Sequence, residues 1–205
     1  EGAMAASISR QFAEWAAALT FEDLPPAVVD KVKALTLMAL TSAPLGSTTA
    51  RGRAAVALAK AEDSRPGGAT ILVDGASATR LGAVFVNSEV MWASGLIDSY
   101  RMLTHPGSAI LPAALVAAEI TKCDGKTFIT GLAAAYEVME RMCAEFIPTV
   151  MSRGFHAGPV FGIFGAAVAA AKIQGFNAEK VHSTIAQCVN LAAGNLEGRR
   201  SGGRA

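Results

Sequence analysis

Cysteine and histidine are scarce in this 205-residue chain, three of each, and the scarcity excludes two chemistries. Cys123, Cys143 and Cys188 are odd in number and show no C-x-x-C spacing, so neither a disulfide framework nor a zinc site is written in the sequence. The expectation is a set of reduced, mostly buried thiols in a cytoplasmic protein, with no metal and no cofactor. Charge is thin as well: 17% of residues are charged, and 18 basic against 17 acidic side chains leave a net charge of +1. No basic field exists to gather a phosphate backbone, which excludes nucleic acid as a partner. The uncharged run 155–171 contains His156 and Pro159 and is shorter than the roughly 20 residues a bilayer requires. It reads as a buried helix, and no membrane partner is expected. Gly67-Gly68 and Gly202-Gly203 lack the strand–loop–helix setting of a phosphate loop. The first residues carry no basic start and apolar stretch, so no secretory leader is expected; residues 1–4 read as a cloning remnant ahead of Met4.

What is present is apolar: 52% of residues are hydrophobic, which rules out a disordered chain, while only 6% are aromatic. Abundant alanine with few aromatics favours closely packed helices over sheets. Such an apolar surplus in a modest chain also suggests a surface covered by another chain. Helical spacing of apolar residues predicts helices over 7–19, from Pro26 to near Pro44 and Gly46, from a Thr48 or Thr49 cap to about Glu62, over 79–97, 108–120, 127–146 and 158–173, and a last one capped by Asn177. One short strand is expected at 69–73, ending in the turn dipeptide Asp74-Gly75. The fold class is therefore all-α with at most one short strand. Residues 5–193 form the helical domain, and 194–205 a basic, glycine-rich tail.

Two loops each deliver a histidine to the start of a small-residue helix: Thr104-His105-Pro106-Gly107-Ser108 and Arg153-Gly154-Phe155-His156-Ala157-Gly158. A helix start carries about half a positive charge and unpaired amides, so carboxylates settle there. The same field disfavours the charged imidazole, leaving it able to accept a proton at neutral pH. Two such histidines on one cleft, with Arg153 nearby, would suit a carboxylate substrate and the removal of its α-proton. A single loop histidine is otherwise most simply a cap, and His182, within the last helix, is read as structural. The acids Glu137, Glu140 and Glu145 with Arg141 read as a solvated helix face, and the scattered methionines as core filler.

Phe85-Val86-Asn87-Ser88-Glu89, the segment ending Thr104-His105-Pro106-Gly107, and Leu111-Pro112-Ala113-Ala114-Leu115 after it resemble the central motif of the MmgE/PrpD family. Arg153-Gly154-Phe155-His156, followed by Phe161-Gly162-Ile163-Phe164-Gly165, is similar to that family's second signature in order and distance. The resemblance runs from about Ser7 to Ala193. It implies the helical domain of proteins that pair such a domain with an α/β lid, place the site between the two and usually form dimers. They act on small polycarboxylates without a metal, as 2-methylcitrate dehydratases, cis-aconitate decarboxylases or an iminodisuccinate epimerase. By resemblance His105 and His156 are the catalytic histidines, while Asp98, Ser99, Arg153 and Arg199 contact substrate. Two positions depart from the pattern, Gly95 where the first acid of an aspartate-rich stretch is found and Trp92 where histidine is frequent, and the lid is expected to be absent from this chain.

The expected function is a cofactor-independent lyase or isomerase that abstracts a proton α to a carboxylate of a small polycarboxylate, with dehydration, decarboxylation or epimerisation as the outcome. The alternative is a non-catalytic helical scaffold or half-subunit. The expected partners are a small carboxylate substrate and either a second copy or a separate lid-bearing chain.

Overall fold

A computed structural model describes residues 7–101 and 103–197. These form nine α-helices and one two-stranded sheet in the order α1 (Ile8–Ala18), α2 (Pro26–Ser47), α3 (Ala50–Glu62), β1 (Ser64–Thr70), β2 (Ser77–Ala78), α4 (Arg80–Ala93), α5 (Gly107–Thr121), α6 (Gly125–Cys143), α7 (Ile147–Ser152), α8 (Ala157–Ile173) and α9 (Ala178–Leu191). The all-α expectation holds. None of these helices is long and apolar enough to cross a membrane.

Helix starts are fixed where short polar side chains accept an otherwise unpaired amide. Thr49, rather than Thr48, takes the Gly52 amide at 3.0 Å; Thr79, Asp124 and Asn177 do the same for Gly82, Thr127 and Lys180. Packing then depends on small residues. α8 lies against α5, α6 and α9, while α4 lies against α2, α3 and α5. At Gly46 the backbones of α2 and α4 meet so closely that a Cβ would sit 1.7 Å from the Val90 carbonyl oxygen. At Gly165 a Cβ would lie 2.7 Å from Ile110 of α5 and 3.2 Å from Met139 of α6. Alanine and glycine thus act as sockets for the larger Ile110, Leu111, Leu132 and Met139, all of them buried.

Several boundaries differ from the sequence reading, each for a local reason. α2 runs through Pro44 to Ser47, because one missing amide in a 22-residue helix is outweighed where Gly46 is clamped on α4. α4 stops at Ala93 rather than near Ile97, since Gly95 adopts φ +73°, a left-handed conformation that terminates helices. Pro148 does not merely end α6; it occupies the first turn of the separate short helix α7. The strand is β1, 64–70, displaced from the expected 69–73 and bulged between Ser64 and Ala69, with Ser77–Ala78 as its antiparallel partner. Asn87 pins it to α4, donating to the Thr70 carbonyl and accepting from the Leu72 amide, both at 2.9 Å. His182 is half-buried and hydrogen-bonded to the Ser9 hydroxyl at 3.2 Å, joining α9 to α1. Residues 194–197, assigned to the tail by the sequence, return to the loop before α8: His156 donates its amide to Gly194, and Leu196 donates to Gly154. The expected cloning remnant and the rest of the tail lie outside the described residues.

Replacing Gly46 with alanine is expected to cost about 1–3 kcal/mol through overpacking against α4. Gly125→Ala, at a helix start with open space around it, is expected to be neutral or stabilising by up to about 1 kcal/mol. Urea unfolding of both variants checks this, and an equal effect at the two sites would contradict the close approach.

Candidate active site

The segment between α4 and α5 wraps around a single carboxylate. Asp98 points both oxygens at the first amide of α5, Gly107 N–H at 2.9 Å from each, and accepts the Tyr136 hydroxyl at 2.8 Å on Oδ2. A negative group at a helix start is stabilised by unpaired amides and the helix dipole together. The seat fits closely: a Cβ on Gly107 would come within 3.0 Å of both carboxylate oxygens and of the Tyr136 hydroxyl. The anion position at the start of α5, expected to receive a substrate carboxylate, is therefore filled by the chain's own Asp98.

The same residue holds His105. Nδ1 of His105 lies 2.7 Å from the Asp98 carbonyl oxygen. A carbonyl can only accept, so Nδ1 carries the hydrogen, and in the neutral ring Nε2 keeps its lone pair. Trp92 of α4 meets the imidazole edge-on, with ring centroids 5.2 Å apart and planes at 71°. Ser108 donates its hydroxyl to the His105 carbonyl at 3.0 Å, and Ser88 of α4 donates to the Ser108 carbonyl at 2.7 Å. His105 thus sits half-buried in a braced loop, with one ring nitrogen committed.

His156 occupies the cap position of α8 in an extended conformation. Its Nε2 lies 3.8 Å from where a Gly158 Cβ would be, so the ring folds over the first turn of its own helix. The two histidine-bearing starts belong to one packed pair of helices. Ala109 of α5 meets Gly162 of α8, 3.2 Å from an ideal Cβ there. These contact residues lie about 6 and 9 Å along their axes from His105 and His156 respectively. Arg153, at the end of α7, is exposed; its amide donates to the Thr149 carbonyl, while its guanidinium has no hydrogen-bond or ion-pair partner among the described residues; Ser99 is exposed in the loop before α5. Arg199 lies outside the described residues.

Two participants at this site were missed by the sequence reading. Tyr136 is buried on α6, and Glu140, one turn later, is half-buried near Asp98 instead of belonging to a solvated face; Glu137 with Arg141 and Glu145 with Arg101 do form surface ion pairs. Burial first, then the charges of Asp98 and Glu137, push the Glu140 carboxyl up from an ordinary 4.5 to about 7, with Lys31 of α2 opposing. Burial also raises the Asp98 carboxyl, opposed by the Tyr136 hydroxyl, the Gly107 amide and His105. A lone tyrosine on the alanine-rich side of α6, four residues before an acid, was the available signal. Burial holds the Cys143 thiol up at about 11 and raises Cys188 as well, which disfavours the thiolate form of both.

A cavity beside Asp98, lined by Met38, Ser42, Met91, Ile97 and Ser108 among others, holds about 10 Å³, room for one water. A larger groove of about 310 Å³ lies elsewhere, between the Phe21 turn, the start of α6 and Lys172. Lys172 is sixteen residues beyond His156, about 24 Å along α8. No group of histidine, cysteine, aspartate or glutamate side chains among the described residues is arranged to hold a metal ion.

The fold and the two braced histidine loops define the class: a helical domain that presents imidazoles at the starts of paired small-residue helices. The chain belongs to the MmgE/PrpD family, whose N-terminal domain model matches residues 10–204. It is 27% identical to the cis-aconitate decarboxylase-like protein oryM of Aspergillus oryzae, over 96% of this chain and 42% of that protein. It is 23% identical to a cis-aconitate decarboxylase of Aspergillus terreus, over 95% of this chain and 41% of that protein, and 28% identical to the human cis-aconitate decarboxylase, over 92% and 40%. The chain thus spans about two fifths of the length of these relatives.

Glu140 sets a pH dependence with a definite sign. Between its unfolded and folded values the folded state keeps a proton the unfolded state has lost, so stability falls as pH rises from about 4.5 through 7. Glu140→Gln removes that penalty: its melting temperature relative to the parent is expected to rise from pH 5 to pH 8. A difference that does not change with pH would contradict the placement of this carboxyl.

Proposed function

We propose that this domain supplies the proton-transfer half of a lyase or isomerase acting on a small polycarboxylate, a reading supported by its family and by relatives named as cis-aconitate decarboxylases. The observation that carries it is His105: its Nδ1 hydrogen is committed to the Asp98 carbonyl, which leaves Nε2 as a base of fixed direction. One histidine removes the proton α to a carboxylate, and the electron pair passes into that carboxylate as an enediolate. Collapse then expels a hydroxide, to which the other histidine gives a proton, or returns a proton to carbon on the opposite face. In a decarboxylation, carbon dioxide leaves and its bond electrons take a proton from the histidine instead. Arg153, exposed three residues before His156, and the amides at the start of α8 bind the substrate carboxylates and offset the developing charge. Ser99 adds a hydroxyl from the loop that carries Asp98; Arg199 is a further carboxylate contact suggested by its place in the sequence. Asp98 contributes by holding the loop rather than by touching substrate.

A second reading has its own support. With about 10 Å³ beside Asp98 and two fifths of the relatives' length, this helical domain is half of a site that a lid-bearing chain or a second copy completes. On that reading the domain alone binds an acid without turning it over.

Calorimetric titration with cis-aconitate, with and without a supplied lid-bearing partner, tests the proposal. His105→Ala or His156→Ala is expected to weaken binding, and where turnover is present to lower it by about 10² to 10⁴, the usual worth of general acid–base help. Binding and turnover unchanged in both variants would overturn it.

A further inference from the structure

A connected set of polar contacts has Asp98 at its centre, and its outermost member, Tyr136, has no role in the reading above. Tyr136 stands on α6, a different element from either histidine loop, and its hydroxyl reaches the half-buried Asp98 carboxylate at 2.8 Å. That carboxylate is held from two sides, by Gly107 of α5 and by Tyr136, so the Asp98 backbone cannot turn without breaking both contacts. The Asp98 carbonyl, fixed by the same backbone, accepts the Nδ1 hydrogen of His105. In water a neutral imidazole prefers its hydrogen on Nε2, so the ring in this loop is kept in the form it would otherwise populate less.

We propose that Tyr136 is a positioning residue for His105: by clamping Asp98 it keeps the imidazole hydrogen on Nδ1 and the Nε2 lone pair free to take a substrate proton. The inference rests on His105 being the base, but its physical content does not require turnover. Tyr136 acts entirely through Asp98. The tyrosine ring is packed in the core, so removing the hydroxyl alone leaves the packing in place. It also leaves Asp98 beside Glu140 with one donor fewer, which favours a protonated or reoriented carboxyl and a slack loop.

The test is ¹⁵N NMR of the imidazoles in the whole chain, with His105 assigned by its loss in His105→Ala. In the parent protein, at a pH where the ring is neutral, the expected signature is a protonated Nδ1 and a bare Nε2. Tyr136→Phe is expected to shift His105 toward the Nε2–H form preferred in water while the circular dichroism spectrum stays unchanged. Asp98→Asn, which can still accept through one oxygen, is expected to shift it by a smaller amount and serves equally if Tyr136→Phe fails to fold. A parent protein with hydrogen on Nε2, or a tautomer unmoved in whichever of the two variants folds, would overturn the proposal. Should His105→Ala and His156→Ala leave acid binding intact while the tautomer shift is seen, the clamp stands and the assignment of His105 as base falls.

Discussion

A carboxylate set against the first amide of α5 organises this end of the molecule. Asp98 meets Gly107 with both oxygens, takes the Tyr136 hydroxyl, and through its own carbonyl fixes His105. The arrangement is expensive in solvation, because a buried carboxylate is stable only when its lone pairs are matched by donors. Here the donors come from two other elements, Gly107 of α5 and Tyr136 of α6, so the loop, α5 and α6 hold together or loosen together. Gly107 is required because any side chain would enter the space of the oxygens it serves. Burial raises both the Asp98 and the Glu140 carboxyls, and the charges of Asp98 and Glu137 add to the shift at Glu140.

That local clamp is useful only because the helices around it are set at short range. Gly46 lets α2 touch the α4 backbone, Gly162 lets α8 approach Ala109, and Gly165 receives Ile110 and Met139. Close approach without side-chain bulk fixes α8 against α5 near the starts of both. His105 and His156 therefore enter from one packed pair, each within about two turns of the crossing. The chain after α9 adds to this by returning through Asn195 and Leu196 to the Gly154–His156 segment. The larger groove beside Lys172 lies toward the other end of α8 from these helix starts.

Much of this was legible in the sequence because it depends on local rules. Thr49, Thr79 and Asn177 announce their helices, the apolar spacing gives their faces, and the His-Pro-Gly and Gly-Phe-His segments stand out against an alanine-rich background. Boundaries failed where tertiary contact overrode local preference: Pro44 is carried inside α2 by the Gly46 contact, and Pro148 begins a helix that the pattern treated as an ending. The site was half legible. Its histidines follow from motif and helix start, but the occupant of the α5 anion seat does not, since Asp98 and Tyr136 are 38 residues apart and nothing in either neighbourhood names the other. Glu140 was hidden for the same reason: it shares its helix with the surface pair Glu137 and Arg141, and only its burial, with Asp98 nearby, makes it different.

On the proposed function, the domain receives an acid at the outer face of the His105 loop, with Nε2 as the reacting nitrogen. The most direct measurement is a crystal structure of the chain soaked with cis-aconitate. The account expects a carboxylate-bearing molecule within hydrogen-bond distance of His105 Nε2, with the Asp98 carboxylate still on Gly107 and Tyr136. Ligand density confined to the groove between Lys126 and Lys172, with the His105 loop empty, would contradict it.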